Sequence, residues 1–255
     1  MPSRRFPISP SPEAADPLVI RHLRGGLRIS QHGVVISEIR LRPGPTHSVF
    51  DILAALIPLL APVGRVARIG LLGFAGGGMM APLLKLGFNG IIDAVDLDPV
   101  GHRLFAQHCP GWADSVRFTK ADAVDWLAGQ PRDFDLLIDD LSVPRDDDVF
   151  KPDISWTVLP SLIRQRLRPE GTAIFNLLPE KTGAWPEQLQ PMTRLFPSSQ
   201  TVHLSDFLNR IWIAGNALPR PATLGFRLRH SLQRLESRQA QRIRIHSGPP
   251  RPKRT

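Results

Sequence analysis

Residues 66–81, VARIGLLGFAGGGMMA, decide the fold. The apolar run Val66–Leu72 reads as a buried strand. Gly73-Phe74-Ala75-Gly76-Gly77-Gly78 follows as a turn, and a helix begins after it. Glycines at such a turn allow positive φ and a close approach of a ligand to the main chain. The first N–H groups of the next helix face that ligand. One βα unit later, Ile91-Ile92-Asp93-Ala94-Val95-Asp96-Leu97-Asp98 reads as a second strand with an acid at its carboxyl end. In a doubly wound sheet an acid there meets a ribose hydroxyl pair. Glycine turn plus acid therefore points to a nucleoside-containing ligand. The competing reading is a tight βα turn followed by a surface Asp.

Working outward, strands and helices alternate. Helix 78–87 ends at Gly87, and strand 91–97 leads to a helix from Pro99 to Cys109. A short strand, Val116–Thr119, precedes Asp122 and helix 123–128. Phe134–Ile138 is a strand ending in Asp139-Asp140, and a helix over about 154–167 precedes strand Thr172–Leu177. Pro186–Leu195 reads as helical. Ser199–Leu204 and Arg210–Gly215 lie too close for a helical crossover and should pair antiparallel. The pattern predicts an α/β fold: a doubly wound, mainly parallel seven-stranded sheet with helices on both faces. On the N-terminal side, residues 27–30 and 34–39 flank Gln31-His32-Gly33 as a small β-hairpin. Thr46 is placed to cap a helix starting near His47. The expected organisation is a disordered leader over 1–17, a hairpin region over 18–45, the ligand-binding domain over 46–218 and a tail over 219–255.

Composition narrows the class. Of 255 residues, 42% are hydrophobic, enough for a sizeable core, and the single Cys109 excludes an internal disulfide framework. No apolar run reaches the roughly 18 residues of a spanning helix. The leader, MPSRRFPISPSPEAADP, has no apolar stretch of the secretory kind. A cytoplasmic protein is the expectation. From Pro219 onward, ten Arg and Lys face the single Glu236, which accounts for the whole net charge of +9. The segment offers one candidate helix, 224–240, and otherwise reads as a largely disordered, separable tail. Its arginines suit weak contact with nucleic acid or an anionic surface. Phe226 is its only aromatic residue, so it offers little base stacking.

Acids follow three successive strands at one sheet edge: Asp96, Asp122, and Asp139 with Asp140. That edge is the ligand crevice of an open α/β sheet. Asp122 also sits where a helix cap would, so cap and ligand contact both stand open. Phe74, Met79 and Met80 suit either an adenine contact or core filling. Gly76-x-Gly78-x-x-Ala81 matches a dinucleotide pattern, but it starts several residues past the strand. The eight His form no spaced pair on one face, so no metal site is expected.

These residues resemble the class I S-adenosylmethionine-dependent methyltransferase superfamily with its Rossmann-like fold, and within it the spermidine synthase-like branch. The resemblance covers about residues 27–215. LGFAGGGMM is similar to the first motif of the family. Val95-Asp96-Leu97-Asp98 is similar to the second, whose first acid holds the ribose hydroxyls. Ala121-Asp122-Ala123-Val124-Asp125-Trp126-Leu127 resembles the segment whose Asp meets the adenine amino group. Phe134–Pro144 resembles the strand and loop carrying the catalytic Asp of the synthases, which falls on Asp140. The implied donor contacts are Gly73, Phe74, Gly76, Gly78, Asp96, Leu97, Asp122, Ala123 and Asp139.

The departures fall on the amine side. The acid that holds the aminopropyl amine in the synthases is Gly76 here, and a second loop acid is Val143. A hairpin Gln falls on Ile36, a Tyr-His-Glu stretch falls on Val49-Phe50-Asp51, and the chain contains no Tyr. A polyamine needs carboxylates and aromatic faces to replace its water. Three functions follow from the resemblance. The first is methyl transfer from S-adenosylmethionine to an unknown acceptor. The second is aminopropyl transfer from decarboxylated S-adenosylmethionine in polyamine biosynthesis, with Asp140 as base. The third is a non-catalytic nucleoside-binding or scaffold role. A small-molecule acceptor and a homodimer are compatible with the first two.

Overall fold

A computed structural model describes residues 18–145, 148–179 and 184–250. The expected leader over 1–17 and the last five residues lie outside the described residues. The chain opens with β1 (Val19–Leu23), β2 (Gly26–Gln31) and β3 (Val34–Arg40), an antiparallel three-stranded sheet. His32 and Gly33 turn β2 into β3 with φ of 47° and 74°, the paired positive φ of a two-residue hairpin. The expected hairpin thus carries one more strand. All of β1 is exposed, so it has no alternation to read.

Helix α1 (Val49–Leu60) starts two residues later than expected, with Ser48 rather than Thr46 as its cap. The Thr46 and His47 N–H groups are taken by the buried Asp51 carboxylate at 2.7 and 2.9 Å, which holds the chain outside the helix there. The α/β body follows: β4 (Ile69–Leu72), α2 (Met80–Lys85), β5 (Ile92–Asp96), α3 (Val100–His108), α4 (Pro110–Ala113), β6 (Val116–Lys120), α5 (Ala123–Ala128) and β7 (Phe134–Asp139). A short hairpin, β8 (Val143–Arg145) and β9 (Asp148–Phe150), lies beyond the end of β7. The helix expected over 154–167 is two helices, α6 (Ile154–Thr157) and α7 (Leu159–Arg166). Pro160 has no N–H for the helical ladder and so tends to open a new helix. Then come β10 (Leu167–Leu177), α8 (Leu189–Thr193), β11 (Ser198–Leu204) and β12 (Arg210–Gly215).

The chain does not end there. Helix α9 (Pro221–Arg234), a 3-10 turn at Arg238–Gln241 and β13 (Ile243–Ser247) follow, and β13 pairs antiparallel with β11. The sheet is therefore eight-stranded rather than seven-stranded, in the order β13-β11-β12-β10-β7-β4-β5-β6. Pairs from β10 through β6 are parallel, and β12, β11 and β13 add antiparallel pairs. The expectation of a largely disordered, separable tail is corrected over residues 219–250. Leu224, Leu228, Leu232 and Leu235 are fully buried, while Arg227, Arg229 and Arg234 point outward. Spacing of four and three places those leucines on one helix face, which packs against α1. Full burial of each is worth about 1.5–3 kcal/mol.

Side chains alternate across the sheet, giving two cores. Ile69, Leu71, Leu136, Ile138, Ile211 and Ile213 face α1, α2, α3 and α9. Leu72, Leu137, Phe175 and Trp212 face α5, α7 and α8. From β4 the chain passes to β5 on one side, and later to β7 on the other. The crevice outside the carboxyl ends of β4 and β7 is the switch point where such sheets bind ligands. Among the described residues no helix is long and apolar enough to cross a membrane.

Candidate functional site

A cavity of about 620 Å³ opens at that switch point, within the range of small-molecule sites. Its floor is the glycine turn. Gly73 takes φ of +89° and donates its N–H to Val95 O at 2.9 Å, tying β4 to β5. A Cβ there would meet Asp140 O at 3.0 Å. Asp96, at the end of β5, accepts the N–H groups of Phe74 and Ala75 on Oδ2 at 2.9 and 2.8 Å. Among the described residues its Oδ1 takes only the Asp98 N–H, at 3.2 Å. The turn and the acid are thus one unit. The carboxylate fixes the loop with one oxygen and keeps acceptor capacity on the other.

The other glycines of the turn serve packing. A side chain at Gly76 would run into Ile29 Cδ1 at 2.8 Å and Ser37 Oγ at 2.9 Å, from the N-terminal sheet. One at Gly78 would meet the Phe50 ring at 2.7 Å. Gly101 of α3 lies against the Ala75 carbonyl, where no Cβ fits. Gly76 does not reach the cavity, whereas Gly73, Phe74 and Gly78 border it. A donor contact at Gly76 would run through its main chain.

Leu97, Asp122 and Ala123 also border the cavity. Leu97 is 67% exposed, an apolar side chain held open beside Asp96. Asp122 caps α5, accepting from the Val124 and Asp125 N–H groups at 2.7 and 3.3 Å, both on Oδ1. Cap and cavity wall are therefore compatible in one residue. Phe74 packs edge-on to Phe105 and His102, and His102 stacks on Phe118 at 4.3 Å. Burial pushes the His102 imidazole pKa below its ordinary value.

Asp139 and Asp140 separate completely. Asp139, expected as a donor contact, is fully buried behind the cavity that Asp140 borders. Its Oδ1 meets Lys151 Nζ at 2.8 Å and Ser155 Oγ at 3.2 Å. Lys151 also donates to the Asp139 and Leu141 carbonyls at 3.2 and 3.1 Å. This buried pair pins the loop that carries the neighbouring acid. Asp140 borders the cavity and accepts from Asn176 Nδ2 at 2.7 Å. Asn176 Oδ1 in turn accepts from Asn209 Nδ2 at 2.8 Å. Surrounding protein atoms strip water from Asp140 and raise its pKa from 3.8 to about 6. The Asn176 hydrogen bond and the Lys151 charge oppose that shift, and Asp139 and Asp96 add to it. Among the described residues the acid with the most perturbed carboxyl thus sits in the main cleft, as functional acids often do.

Sequence reasoning missed Asn176, Asn209, Lys151, Ser37 and Arg238. Asn176 had a signal, as the polar member of the apolar run Ile174–Leu178 at the crevice edge. Arg238 had none. It borders the cavity from the turn after α9, far along the chain. Among the described residues no group of three or more His, Cys, Asp or Glu is placed to hold a metal ion.

The sequence matches no family model and no curated protein. Solved structures do share the architecture. A probable spermidine synthase from Corynebacterium glutamicum superposes with a TM-score of 0.71 at 18% identity, covering 94% of this chain and 91% of its own. Human methyltransferase-like protein 13, in complex with SAH, gives 0.55 at 21% identity, with 80% and 93% covered. A spermidine synthase in complex with the transition-state analogue AdoDATO gives 0.63 at 13% identity, with 83% and 76% covered. The chain has the Rossmann-like fold that these methyltransferase and spermidine synthase structures share.

Proposed function

We propose that the chain is an S-adenosylmethionine-binding transferase of spermidine synthase-like architecture that moves a methyl group to a small-molecule acceptor. The observation that carries the choice of group is at Gly76. Position 76 carries no side chain, and the ends of the Ile29 and Ser37 side chains lie where one would begin, so the turn presents no carboxylate to a donor. Both donors carry an ammonium, but S-adenosylmethionine adds a carboxylate that an acid in the turn would repel and that Gly76 and nearby backbone N–H groups tolerate.

The residues fit such a donor. Asp96 keeps an oxygen for a ribose hydroxyl pair beside a turn it has already fixed. Leu97, Ala123 and Phe74 give apolar wall, and Asp122 gives an acceptor. Bound there, S-adenosylmethionine would supply an activated methyl group. The chain's own part is placement and proton handling. Asp140, with its carboxyl pKa near 6, is ionised at neutral pH yet basic enough to take a proton from an acceptor held against it. Asn176 and Asn209 fix its orientation. Holding the acceptor in line supplies much of the remaining catalysis.

Cytoplasmic placement belongs to the same reading and rests on Cys109 as a buried free thiol. Weak, salt-sensitive contact with nucleic acid or an anionic surface would run through the outward arginines of α9. The test is Asp96→Ala. A carboxylate–ribose pair is worth about 1.5–3 kcal/mol, so S-adenosylhomocysteine affinity should fall roughly ten- to a hundredfold. An unchanged affinity in a folded variant removes the ribose assignment. Steady spermidine formation from putrescine, read by mass spectrometry, would replace methyl transfer by the aminopropyl reaction.

A further inference from the structure

The two ends of the cavity differ in charge. Sheet order puts Asp96 and Asp122 at the β5–β6 end, Asp140 in the middle, and Asn176 and Asn209 at the β10–β12 end. His47, before α1, and Arg238, after α9, also border the cavity; Gln239, next to Arg238, bonds both the His47 carbonyl and Asp206 of the β11–β12 loop, which puts the pair beside the end that Asn209 forms. The acids bordering the cavity lie on other elements: Glu38 on β3, paired with Arg28 at 2.7 Å; Asp96 at the end of β5, holding the turn with one oxygen; Asp122, capping α5; and Asp140, beyond β7.

His47 is held in an unusual state. Its φ is +59°, a conformation that costs free energy and persists only when its surroundings impose it. Its N–H goes to Asp51 Oδ2 at 2.9 Å, and its carbonyl accepts from Gln239 Nε2 at 3.0 Å. Its Nδ1 accepts from the Arg238 N–H at 3.4 Å. A neutral imidazole accepting at Nδ1 carries its proton on Nε2, which makes that atom a donor. The guanidinium of Arg238 is exposed on the cavity wall and has no hydrogen bond or ion pair to the described residues. Asp206, the acid that feels its charge, is bound by Arg242 and Gln239. Ser37, against Gly76 on the glycine-turn side of the same cavity, adds a buried hydroxyl whose Oγ has no hydrogen-bond partner among the described residues.

This end therefore offers donors and one uncommitted cation. An ammonium-bearing acceptor would meet repulsion there, with few free acceptors to replace its water. A carboxylate or phosphate would meet a guanidinium suited to forked binding, together with neighbouring donors. We propose that the acceptor is an anion, a small molecule whose carboxylate or phosphate group is bound by Arg238 and His47 while its nucleophilic atom lies toward Asp140. The inference rests on the transferase reading. It makes the segment after β12 part of the substrate site, and Arg238 the residue that sets acceptor class.

Calorimetric titration of the full chain tests it, with and without S-adenosylhomocysteine, using succinate, inorganic phosphate and putrescine as probes. The proposal expects succinate or phosphate to bind, the better probe identifying the anion, and putrescine to give no binding. Arg238→Gln should weaken the anion at least tenfold, Arg238→Lys should keep most of the affinity, and S-adenosylhomocysteine affinity should stay within twofold in both. Binding of putrescine, absence of anion binding, or anion affinity indifferent to Arg238→Gln overturns the proposal. A tenfold loss of S-adenosylhomocysteine affinity in Arg238→Gln, with 5′-methylthioadenosine unaffected, would assign Arg238 to the donor's own carboxylate and also overturn it. If the wild-type chain ignores S-adenosylhomocysteine but binds the anion, the transferase reading fails while the anion site stands.

Discussion

Replacing Asp140 by Asn should make the protein more stable at neutral pH. The carboxyl pKa is raised from 3.8 to about 6, chiefly because folding removes water from it. A group whose folded value lies above its unfolded value is penalised when ionised. Below about pH 4 it is protonated in both states and the penalty is small. The penalty grows between pH 4 and 6 and is complete above. The full shift corresponds to about 3 kcal/mol. Asp140 borders an open cavity, so water access reduces the realised gain to about 1–2 kcal/mol. An Asn amide keeps an oxygen to accept from Asn176 and carries no charge to desolvate. At about 2–4 °C per kcal/mol for a chain of this size, Asp140→Asn should melt roughly 2–8 °C higher at pH 8. At pH 4.5 the gain should be about a third as large. Circular-dichroism melting of both proteins at the two pH values is the assay. A variant no more stable than wild type at pH 8, or a gain equal at both pH values, refutes the claim that the site holds a desolvated carboxylate. Loss of transfer activity alongside the gain would show a stability cost carried for function.

Two further outcomes follow from packing. Leu228→Ala in α9 should cost about 2–5 kcal/mol by denaturant unfolding, because the side chain is fully buried. A cost below about 0.5 kcal/mol would mean that α9 does not dock on the body. Gly76→Asp should destabilise by about 1–3 kcal/mol, because Ile29 Cδ1 and Ser37 Oγ must shift to admit its side chain. A variant as stable as wild type would contradict the packing seen here.

The sheet body was legible because its signals are local. Buried strands, the glycine turn and the acid after β5 are each written within a few adjacent residues. Helix α5 and strand β12 have the bounds their sequences suggest. Misreadings arose where a long-range partner or a competing composition decides. The leucine stripe of α9 is present in the sequence, but the surrounding arginines dominate its composition and suggest a solvated tail. Asp139 and Asp140 look equivalent as a pair. Successive residues leaving a strand point to opposite faces, so one is buried against Lys151 and the other reaches the cavity. No local pattern around Gly76 indicates that Ile29 and Ser37 occupy its side-chain space. The roles of His47 and Arg238 depend on a contact between residues 191 positions apart.

Donor choice is the most direct test. Calorimetric titration of the full chain with S-adenosylmethionine, its decarboxylated form and NAD should show S-adenosylmethionine binding most tightly. The decarboxylated form should bind more weakly, because it lacks the carboxylate that the acid-free turn and its backbone N–H groups accommodate, and NAD should not bind measurably. Tighter binding of the decarboxylated donor would contradict methyl transfer, and failure of both adenosyl donors to bind would contradict the nucleoside site itself.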